Sequence, residues 1–579
     1  MIGAGGGGAV IGKELAARGL DVLVLEAGPR FARPEHEWSH FSQDAGNPVT
    51  GYFRWGSADR SKPPYVRERN PPTMAIFQIA GVGGTTLHYS GNCPRAMPGA
   101  FQDYRRRDRG NYDREHLFPL AYRDLVPYYE WVEETLPVQT AAMGTKEQVF
   151  FEGARRAGLP LNRFKDIDRP SFRPQENGIL QPGGPAGKSD NRRDARFPRA
   201  RGCTFCGHCL EGCFEPLGAP RNLKAKRSTD NSYIPMALTA DIWHRSGRAA
   251  TLLTGSFADR IEFSTNGTTV TVSGVSWVLE ATGERAAEAA RVVVLAAGAI
   301  ESPRLWLNSG LPNPNGWVGR GMTNHFEDTI TALMPFETGF TKGPTSAARA
   351  DFPGHGCLQA VGVPPADAVE LGAAGMLTGH RPPPITRSTS SGRAVGLPLE
   401  QFVAHIDRLL SLAVITDDDV DPRNRVSLSN SLPPDAYGRV PRVDVVARSR
   451  RSISNRRFLI HEATKILERA GAVAIHRVNP PPILGHIHST LRMGQRSSNS
   501  VLDGSGEARW VRRLFVADNS ALANALGGPN PTLTTQALAT RAAEQIFQKY
   551  FGGAPWVAHE NPTASTDHRV TRAVRARQV

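Results

Sequence analysis

The chain has 579 residues, of which 40% are hydrophobic, and its formal net charge is +14. That length exceeds one hydrophobic core, so we expect two or three packed units. The arginines are scattered and form no basic stripe interleaved with aromatic residues, which argues against a nucleic-acid-binding protein. No stretch approaches the roughly 18 consecutive apolar residues of a transmembrane segment. We therefore expect a soluble, cytoplasmic globular protein, periplasmic only if it is exported with a partner.

The start of the chain has the pattern of a βαβ unit that binds a dinucleotide. Gly3, Gly5 and Gly8 stand at G-x-G-x-x-G spacing, and residues 22–25 form a continuously apolar segment that predicts a buried parallel strand. Glu26 follows that strand, where an acidic side chain binds the hydroxyls of an unphosphorylated ribose. The pattern therefore predicts a site for NAD or FAD.

The first strand of this unit is unusually short. Only Met1 and Ile2 precede Gly3, whereas a strand of about five residues is usual. We therefore expect that the true protein begins upstream of Met1.

Three patterns predict local structure in the middle of the chain. Gly83 and Gly84 permit close approach of a backbone to a ligand and Thr85 adds a hydroxyl, although an ordinary loop would explain this turn equally well. Alternating β-formers over residues 251–279 predict a small antiparallel meander. Residues 291–297 predict a buried strand that leads into another glycine-containing turn.

Four of the six cysteines lie within eleven residues and suggest a local metal or redox site. Cys203, Cys206, Cys209 and Cys213 have C-x2-C-x2-C-x3-C spacing, which is the ligand pattern of bacterial iron–sulfur clusters. The proline that usually follows the fourth cysteine is absent. The spacing favours an iron–sulfur cluster, and the alternatives are a zinc site, two local disulfides or free thiols.

The C-terminal third carries three ordered motifs. They read His486-Ile-His-Ser-Thr-Leu-Arg-Met-Gly, Leu-Phe-Val-Ala-Asp518-Asn-Ser and Gly-Gly-Pro-Asn530-Pro-Thr-Leu-Thr. Together with the glycine fingerprint, the Gly-Gly-Thr turn and the sequence Ala-Ala297-Gly-Ala-Ile-Glu-Ser-Pro, they span nearly the whole chain. In this combination the sequence resembles the glucose–methanol–choline (GMC) family of FAD-dependent oxidoreductases.

The resemblance implies an α/β fold with α+β elements: a Rossmann-like FAD-binding domain that carries a β-meander, and a substrate-binding domain built on an antiparallel sheet. The FAD-binding domain would comprise residues 1–320, with a cysteine-rich insert at about 200–216. Residues 321–480 would form the substrate-binding domain, and residues 481–551 would return to the FAD-binding domain. The polar segment 552–579 is predicted to be a disordered tail.

The resemblance also implies which residues bind FAD. They are Gly3, Gly5, Gly8, Glu26, Gly83, Gly84, Thr85, Ala297, Asp518, Asn530 and Pro531. His88 lies where some members of the family attach FAD covalently through a histidine, although noncovalent members also carry histidine there.

His486 occupies the position of the family's active-site histidine, and Asn530 that of its histidine or asparagine partner. His488 is the rival candidate, and the spacing to Met493 favours His486. A neutral imidazole can accept a hydroxyl proton while a flavin accepts a hydride. The resemblance thus implies oxidation of a CH–OH group, with a dehydrogenase favoured over an oxidase and a protein or a quinone as electron acceptor.

The substrate expected from the resemblance is a sugar, a polyol or a comparable alcohol. A sterol or a long-chain alcohol is the alternative within the family. Two other classes remain open: a flavin lyase that performs no net redox reaction, and a basic binding protein that has lost activity.

Overall fold

The structure is a computed structural model that describes residues 1–31, 56–57, 66–72, 74–181, 202–210, 212–213, 215–216, 218–325, 327–365, 368, 377–381, 400, 403–478 and 483–579. Its helices are α1 (Gly8–Ala17), α2 (Tyr122–Thr135), α3 (Thr145–Arg156), α4 (Tyr233–Leu238), α5 (Ala240–Trp243), α6 (Gly298–Asn308), α7 (Arg450–Arg469), α8 (Thr532–Phe551) and α9 (His568–Arg577). Within these described ranges, no helix is both long and apolar enough to cross a membrane.

The strands of the first half are β1 (Leu23–Leu25), β2 (Gly56–Ser57), β3 (Glu68–Asn70), β4 (Ala75–Ile76), β5 (Ile79–Ala80), β6 (Gln139–Thr140), β7 (Ser171–Pro174), β8 (Glu176–Asn177), β9 (Thr251–Leu253), β10 (Ser256–Asn266), β11 (Thr269–Leu279), β12 (Arg285–Ala289) and β13 (Val293–Leu295). Those of the second half are β14 (Glu327–Leu333), β15 (Ser346–Phe352), β16 (Gly356–Val361), β17 (Leu377–Arg381), β18 (Leu409–Thr416), β19 (Arg425–Leu428), β20 (Pro441–Asp444), β21 (Ala474–Val478), β22 (Ile483–Leu484), β23 (Val511–Arg512) and β24 (Leu514–Val516).

A parallel sheet carries the N-terminal unit. Strand β1 pairs with β9 and β13 pairs with β24, and Ile2 bridges both Leu25 and Leu295, which joins the two pairs. These strands are short and apolar, as expected for parallel strands buried between other elements. Beside them β10, β11 and β12 form the predicted antiparallel meander.

An antiparallel sheet of seven strands forms the second unit, in the order β17-β21-β14-β18-β16-β15-β7. Helices α3 and α7 cover one face, where Phe150 and Leu459 pack in one core with Leu358 and Leu412. Because side chains alternate along a strand, the neighbours of Leu358 in β16 and of Leu412 in β18 point to the opposite face of the sheet. The predicted α/β fold with a second, antiparallel domain is confirmed, although β7 joins that sheet from within the segment expected to belong to the FAD-binding domain.

The prediction of a disordered C-terminal tail is wrong. Residues 568–577 form α9, whose Val570, Ala573 and Val574 are buried, and Trp556 is only 1% exposed. The three small apolar side chains stand at i, i+3 and i+4 on one face of the helix, which is sufficient to anchor a polar segment to the protein.

Candidate active site and cofactor cleft

A cleft of about 1340 Å³, counted to its open mouth, lies at the carboxyl ends of the parallel strands. Its walls include Glu26 after β1, Ala297 after β13 and Asp518 after β24, together with Gly3 and Gly5. In open α/β sheets this edge is where ligands bind. The glycine fingerprint therefore forms part of the wall of this cleft.

Two glycine-rich turns touch each other inside this cleft. Gly3 has a φ of 101°, and a Cβ placed there would lie 2.3 Å from the carbonyl oxygen of Ala296. A Cβ on Gly84, whose φ is 49°, would lie 2.9 Å from the Cα of Gly5. Both turns therefore require glycine, and together they leave a groove floored by backbone.

Two acidic side chains border the groove. Glu26 accepts hydrogen bonds from the backbone N–H groups of Ala4 at 2.8 Å and Gly28 at 2.9 Å. Asp518 accepts one from the N–H of Gly298 at 2.9 Å, at the first residue of α6. Burial raises the pKa of both carboxyl groups.

These features fit FAD. A carboxylate has lone pairs left for ribose hydroxyls after accepting two backbone N–H groups. The N-terminus of α1 opens into the cleft through Gly5, Gly6 and Gly7, where the positive end of the helix favours a pyrophosphate. The groove floored by glycine admits a ligand to the backbone without obstruction.

The predicted cofactor residues fall into two groups. The cleft is lined by Gly3, Gly5, Glu26, Gly84, Thr85, Ala297 and Asp518. Outside its wall lie Gly8, Gly83, His88, Asn530 and Pro531. A Cβ on Gly8 would lie 2.1 Å from the carbonyl oxygen of Gly3, so this glycine serves the packing of helix on strand. His88 is buried with its ring edge-on to Phe77, so covalent attachment of FAD there stays a prediction.

Replacing Gly84 by alanine is expected to abolish retention of FAD, because the new Cβ would collide with Gly5 in the floor of the groove. The measurement is the ratio of FAD to protein after purification. Gly255→Ala is the matched control, since Gly255 also has a positive φ, 61°, but a Cβ there meets nothing within 4 Å. Equal loss of FAD in both variants would contradict the prediction.

The second cluster joins His486 to Asn530. The amide nitrogen of Asn530 lies 3.2 Å from Nε2 of His486. Burial lowers the pKa of His486 to about 4, so its imidazole is neutral at physiological pH. The structure thus brings together the two residues that the sequence paired, and leaves the histidine able to accept a proton.

Two residues that the sequence analysis missed face the other nitrogen of this ring. Nδ1 of His486 lies 2.9 Å from Nδ1 of His325 and 3.3 Å from Oε1 of Glu327. Burial raises the pKa of Glu327 to about 7. The only sequence signal was a histidine and a glutamate close together at the start of a strand, which by itself is weak.

His325 determines which nitrogen of His486 carries the proton. Its Nε2 lies 3.0 Å from the carbonyl oxygen of Ala525, which can only accept. Burial keeps the pKa of His325 well below its ordinary value, so the ring is neutral and its single proton is on Nε2. Its Nδ1 must then accept, so Nδ1 of His486 donates and Nε2 of His486 has a free lone pair.

His488 takes no part in this pair. It is fully buried, its backbone N–H donates to Thr323, and its Nδ1 lies 3.3 Å from the hydroxyl of Ser489. Its ring packs edge-on to His325, with the centroids 5.4 Å apart. This placement favours a packing role over a catalytic one.

In the part of the chain that the structure describes, which includes all four cysteines, no three His, Cys, Asp or Glu side chains are placed to hold a metal ion. Cys203, Cys206, Cys209 and Cys213 nevertheless border one small cavity, and all four are free thiols. Cys203 and Cys209 are buried in a small apolar cluster, and the thiol of Cys213 donates to the carbonyl of Glu215. The iron–sulfur cluster therefore stays a prediction.

The fold and the cleft define a flavoprotein of the oxidoreductase class. The chain belongs to the GMC oxidoreductase family: the models of the family's N- and C-terminal parts match residues 185–327 and 421–539. The resemblance stated from the sequence is thereby confirmed.

Characterised relatives align with almost the whole chain. A 2-methyl-1,2-propanediol dehydrogenase of Mycolicibacterium austroafricanum is 26% identical over 95% of this chain and 95% of its own. Paromamine 6'-oxidase of Streptomyces fradiae is 25% identical, with 94% and 90% covered. The fructose dehydrogenase large subunit of Gluconobacter japonicus is 24% identical, with 94% and 97% covered.

The fold is also that of a solved flavoprotein. A structure of Aspergillus oryzae RIB40 formate oxidase, determined to study the effect of a mutation on FAD modification, matches with a TM-score of 0.62 at 14% identity. The match covers 95% of this chain and 98% of that chain. At this identity the likeness concerns the fold alone.

Proposed function

We propose that this protein is an FAD-dependent oxidoreductase that oxidises a CH–OH group of a polar alcohol, with His486 as the base. The observation that carries the proposal is the pair formed by a neutral His486 and the amide of Asn530, 3.2 Å apart, in a chain whose dinucleotide cleft fits FAD. Bound FAD would supply the acceptor for the hydride that leaves the alcohol carbon.

The protein's own residues prepare the alcohol. With Nδ1 donating to His325, Nε2 of His486 takes the hydroxyl proton as the carbon loses hydride. The Asn530 amide lies beside that nitrogen and donates a hydrogen bond to the alcohol oxygen, which orients it without competing for the proton. The ionised carboxylate of Glu327, whose Oε1 lies 3.3 Å from Nδ1, stabilises the imidazolium that forms.

The face of the seven-stranded sheet that carries Gln359 favours a polar substrate. In the strand register Thr329, Thr331 and Ser411 share this face with Glu327 and Gln359. The hydroxyls of Thr331 and Ser411 are 2.8 Å apart. The hydroxyl and amide groups on this face, which also carries Ala413 and Ile415, suit a sugar, a polyol or a diol better than a sterol, in agreement with the propanediol, paromamine and fructose in the relatives' names.

Electrons would then leave FAD for an acceptor outside the chain. The names of similar proteins include both dehydrogenases and oxidases. We assign no step to the predicted iron–sulfur cluster. We favour a dehydrogenase with a quinone or a protein acceptor.

The test is the absorption spectrum of the purified protein before and after anaerobic addition of 2-methyl-1,2-propanediol, fructose, an aminoglycoside, a long-chain alcohol and a sterol. We expect flavin absorption that is bleached by one or more of the first three alcohols. Bleaching by the sterol or the long-chain alcohol alone would support the alternative substrate class. Flavin that no alcohol bleaches would contradict the proposal and favour a non-redox function, and absence of flavin would favour an inactive binding protein.

A further inference from the structure

We propose that Gln359 is a positioning residue that holds the Asn530 amide with its nitrogen toward His486 and its oxygen away from it. The inference rests on the proposed function for its consequence in catalysis, but the hydrogen bonding behind it is independent of any substrate. It assigns a role to a residue that no motif in the sequence marks.

Three amides form a chain that ends on the histidine. The amide nitrogen of Asn92 donates to Oε1 of Gln359 at 3.1 Å, and the amide nitrogen of Gln359 donates to Oδ1 of Asn530. The amide nitrogen of Asn530 then meets Nε2 of His486. All three amides are at least 93% buried, so water offers them little replacement for these bonds.

The direction of these hydrogen bonds is fixed at the histidine end of the series by the backbone carbonyl of Ala525. That carbonyl can only accept, so the proton of His325 points to it and His486 leaves Nε2 without a proton. Without a proton, Nε2 of His486 needs a hydrogen-bond donor, which the amide nitrogen of Asn530 provides. The oxygen of Asn530 then faces Gln359, which must donate to it, so each amide orientation follows from the one before.

The antiparallel sheet holds Gln359 in place for this task. Gln359 and Cys357 point to the same face of β16, and the thiol of Cys357 donates to the carbonyl of Gly528, two residues before Asn530. A Cβ on Gly528 would lie 2.6 Å from the Cα of Gly356, so the loop and the strand are in backbone contact. Gln359 therefore reaches Asn530 from a fixed backbone.

Without Gln359, the amide of Asn530 has no partner that prefers its oxygen on that side. A half-turn about its last side-chain bond would place the oxygen against the lone pair of Nε2 on His486. Two acceptors would then face each other, and the alcohol would lose the N–H group that orients it. Loss of Gln359 should therefore act on the rate through Asn530 and not through the stability of the sheet.

The experiment is a double-mutant cycle on the rate at which an active alcohol reduces bound FAD. Gln359→Met, which has a similar shape but no hydrogen-bonding group, is expected to lower this rate about tenfold or more. In an Asn530→Ala background the same substitution is expected to change the rate less than about twofold, because the group it positions is gone. Equal effects in both backgrounds, or no effect in either, would overturn the proposal.

The control is Gln175→Met. Gln175 is as buried as Gln359 but contacts neither Asn530 nor His486, and its amide nitrogen makes a long bond of 3.5 Å to the carbonyl of Glu176. We expect this variant to keep the wild-type rate of flavin reduction. If Gln359→Met fails to fold, Gln359→Leu, which likewise has no hydrogen-bonding group, replaces it in the cycle with the same expectations.

A second readout needs no substrate. In protein labelled with ¹⁵N-histidine, the signals that disappear in His486→Gln identify the ring of His486 among the 16 histidines. We expect a proton on Nδ1 and none on Nε2, and a shift of the Nε2 signal in Gln359→Met but not in Gln175→Met. A proton on Nε2 of the wild type would overturn the proposal. If the tautomer is as expected but no alcohol reduces the flavin, the proposed function is contradicted and the proposal for Gln359 stands.

Discussion

Replacing His486 by glutamine is expected to slow the reduction of bound FAD by an active alcohol by about 10²- to 10⁴-fold, the range for loss of a general base. Glutamine keeps a hydrogen-bonding group near Asn530 but cannot accept the proton. Anaerobic stopped-flow absorbance of the flavin measures the rate, and the FAD content should remain that of the wild type.

The pH dependence of the wild type follows from the same residue and from Glu327. The reaction needs the neutral ring, and burial lowers the pKa of His486 to about 4. The rate should therefore fall in two steps as the pH is lowered. The first is near pH 7, where Glu327 takes up a proton and no longer stabilises the imidazolium, and the second is toward pH 4, where the ring of His486 takes up a proton and loses its basic lone pair. The control for the substitution of His486 is His488→Gln. A larger loss in the rate of flavin reduction in that variant than in His486→Gln would assign the base to His488 instead.

Replacing Asp351 by alanine is expected to lower the free energy of unfolding by about 3–5 kcal/mol, the cost of leaving a buried charge without its partner. Its carboxylate accepts from Nε of Arg349 at 2.8 Å and Nε of Arg173 at 2.9 Å, on neighbouring strands. Burial by itself would raise the pKa of Asp351, but the two guanidinium groups hold this pKa below its usual value. Denaturant unfolding followed by fluorescence measures the effect.

The matched control for this substitution is Asp168→Ala. Asp168 pairs with Arg106 at 2.7 Å, but their side chains are 48% and 56% exposed. Exposed pairs contribute about 0–1 kcal/mol, so this variant should unfold almost as the wild type does. Similar losses in both variants would show that burial of the Asp351 pair is not the source of its effect.

The cofactor cleft could be predicted because its determinants are local. The turn after Ile2 needs a positive φ at Gly3, and Glu26 follows its strand directly, so spacing along the chain carries the information. Helix α9 was not predicted, because the polar composition of the segment indicated a disordered tail and outweighed the helical spacing of its apolar residues at 570, 573 and 574.

The cysteines show what spacing along the chain leaves open. Ferredoxin-like spacing allows four sulfurs to converge only if the loop curls so that all four point inward. Here Cys203, Cys206, Cys209 and Cys213 border one small cavity, but no three of their side chains are placed to hold a metal ion. The direction of each side chain depends on what the loop packs against, which the spacing does not contain.

The sequence by itself determined the family, the two-part α/β fold, the glycine groove and the pairing of His486 with Asn530, since each depends on short motifs or on their order. The tertiary structure decided what surrounds that pair. His325 reaches it from the segment just before β14, Glu327 from the start of β14 and Gln359 from β16, all more than a hundred residues away in sequence. The register of the strands brings these three residues to the pair. No local sequence pattern indicates which polar residue of a strand will lie against a histidine.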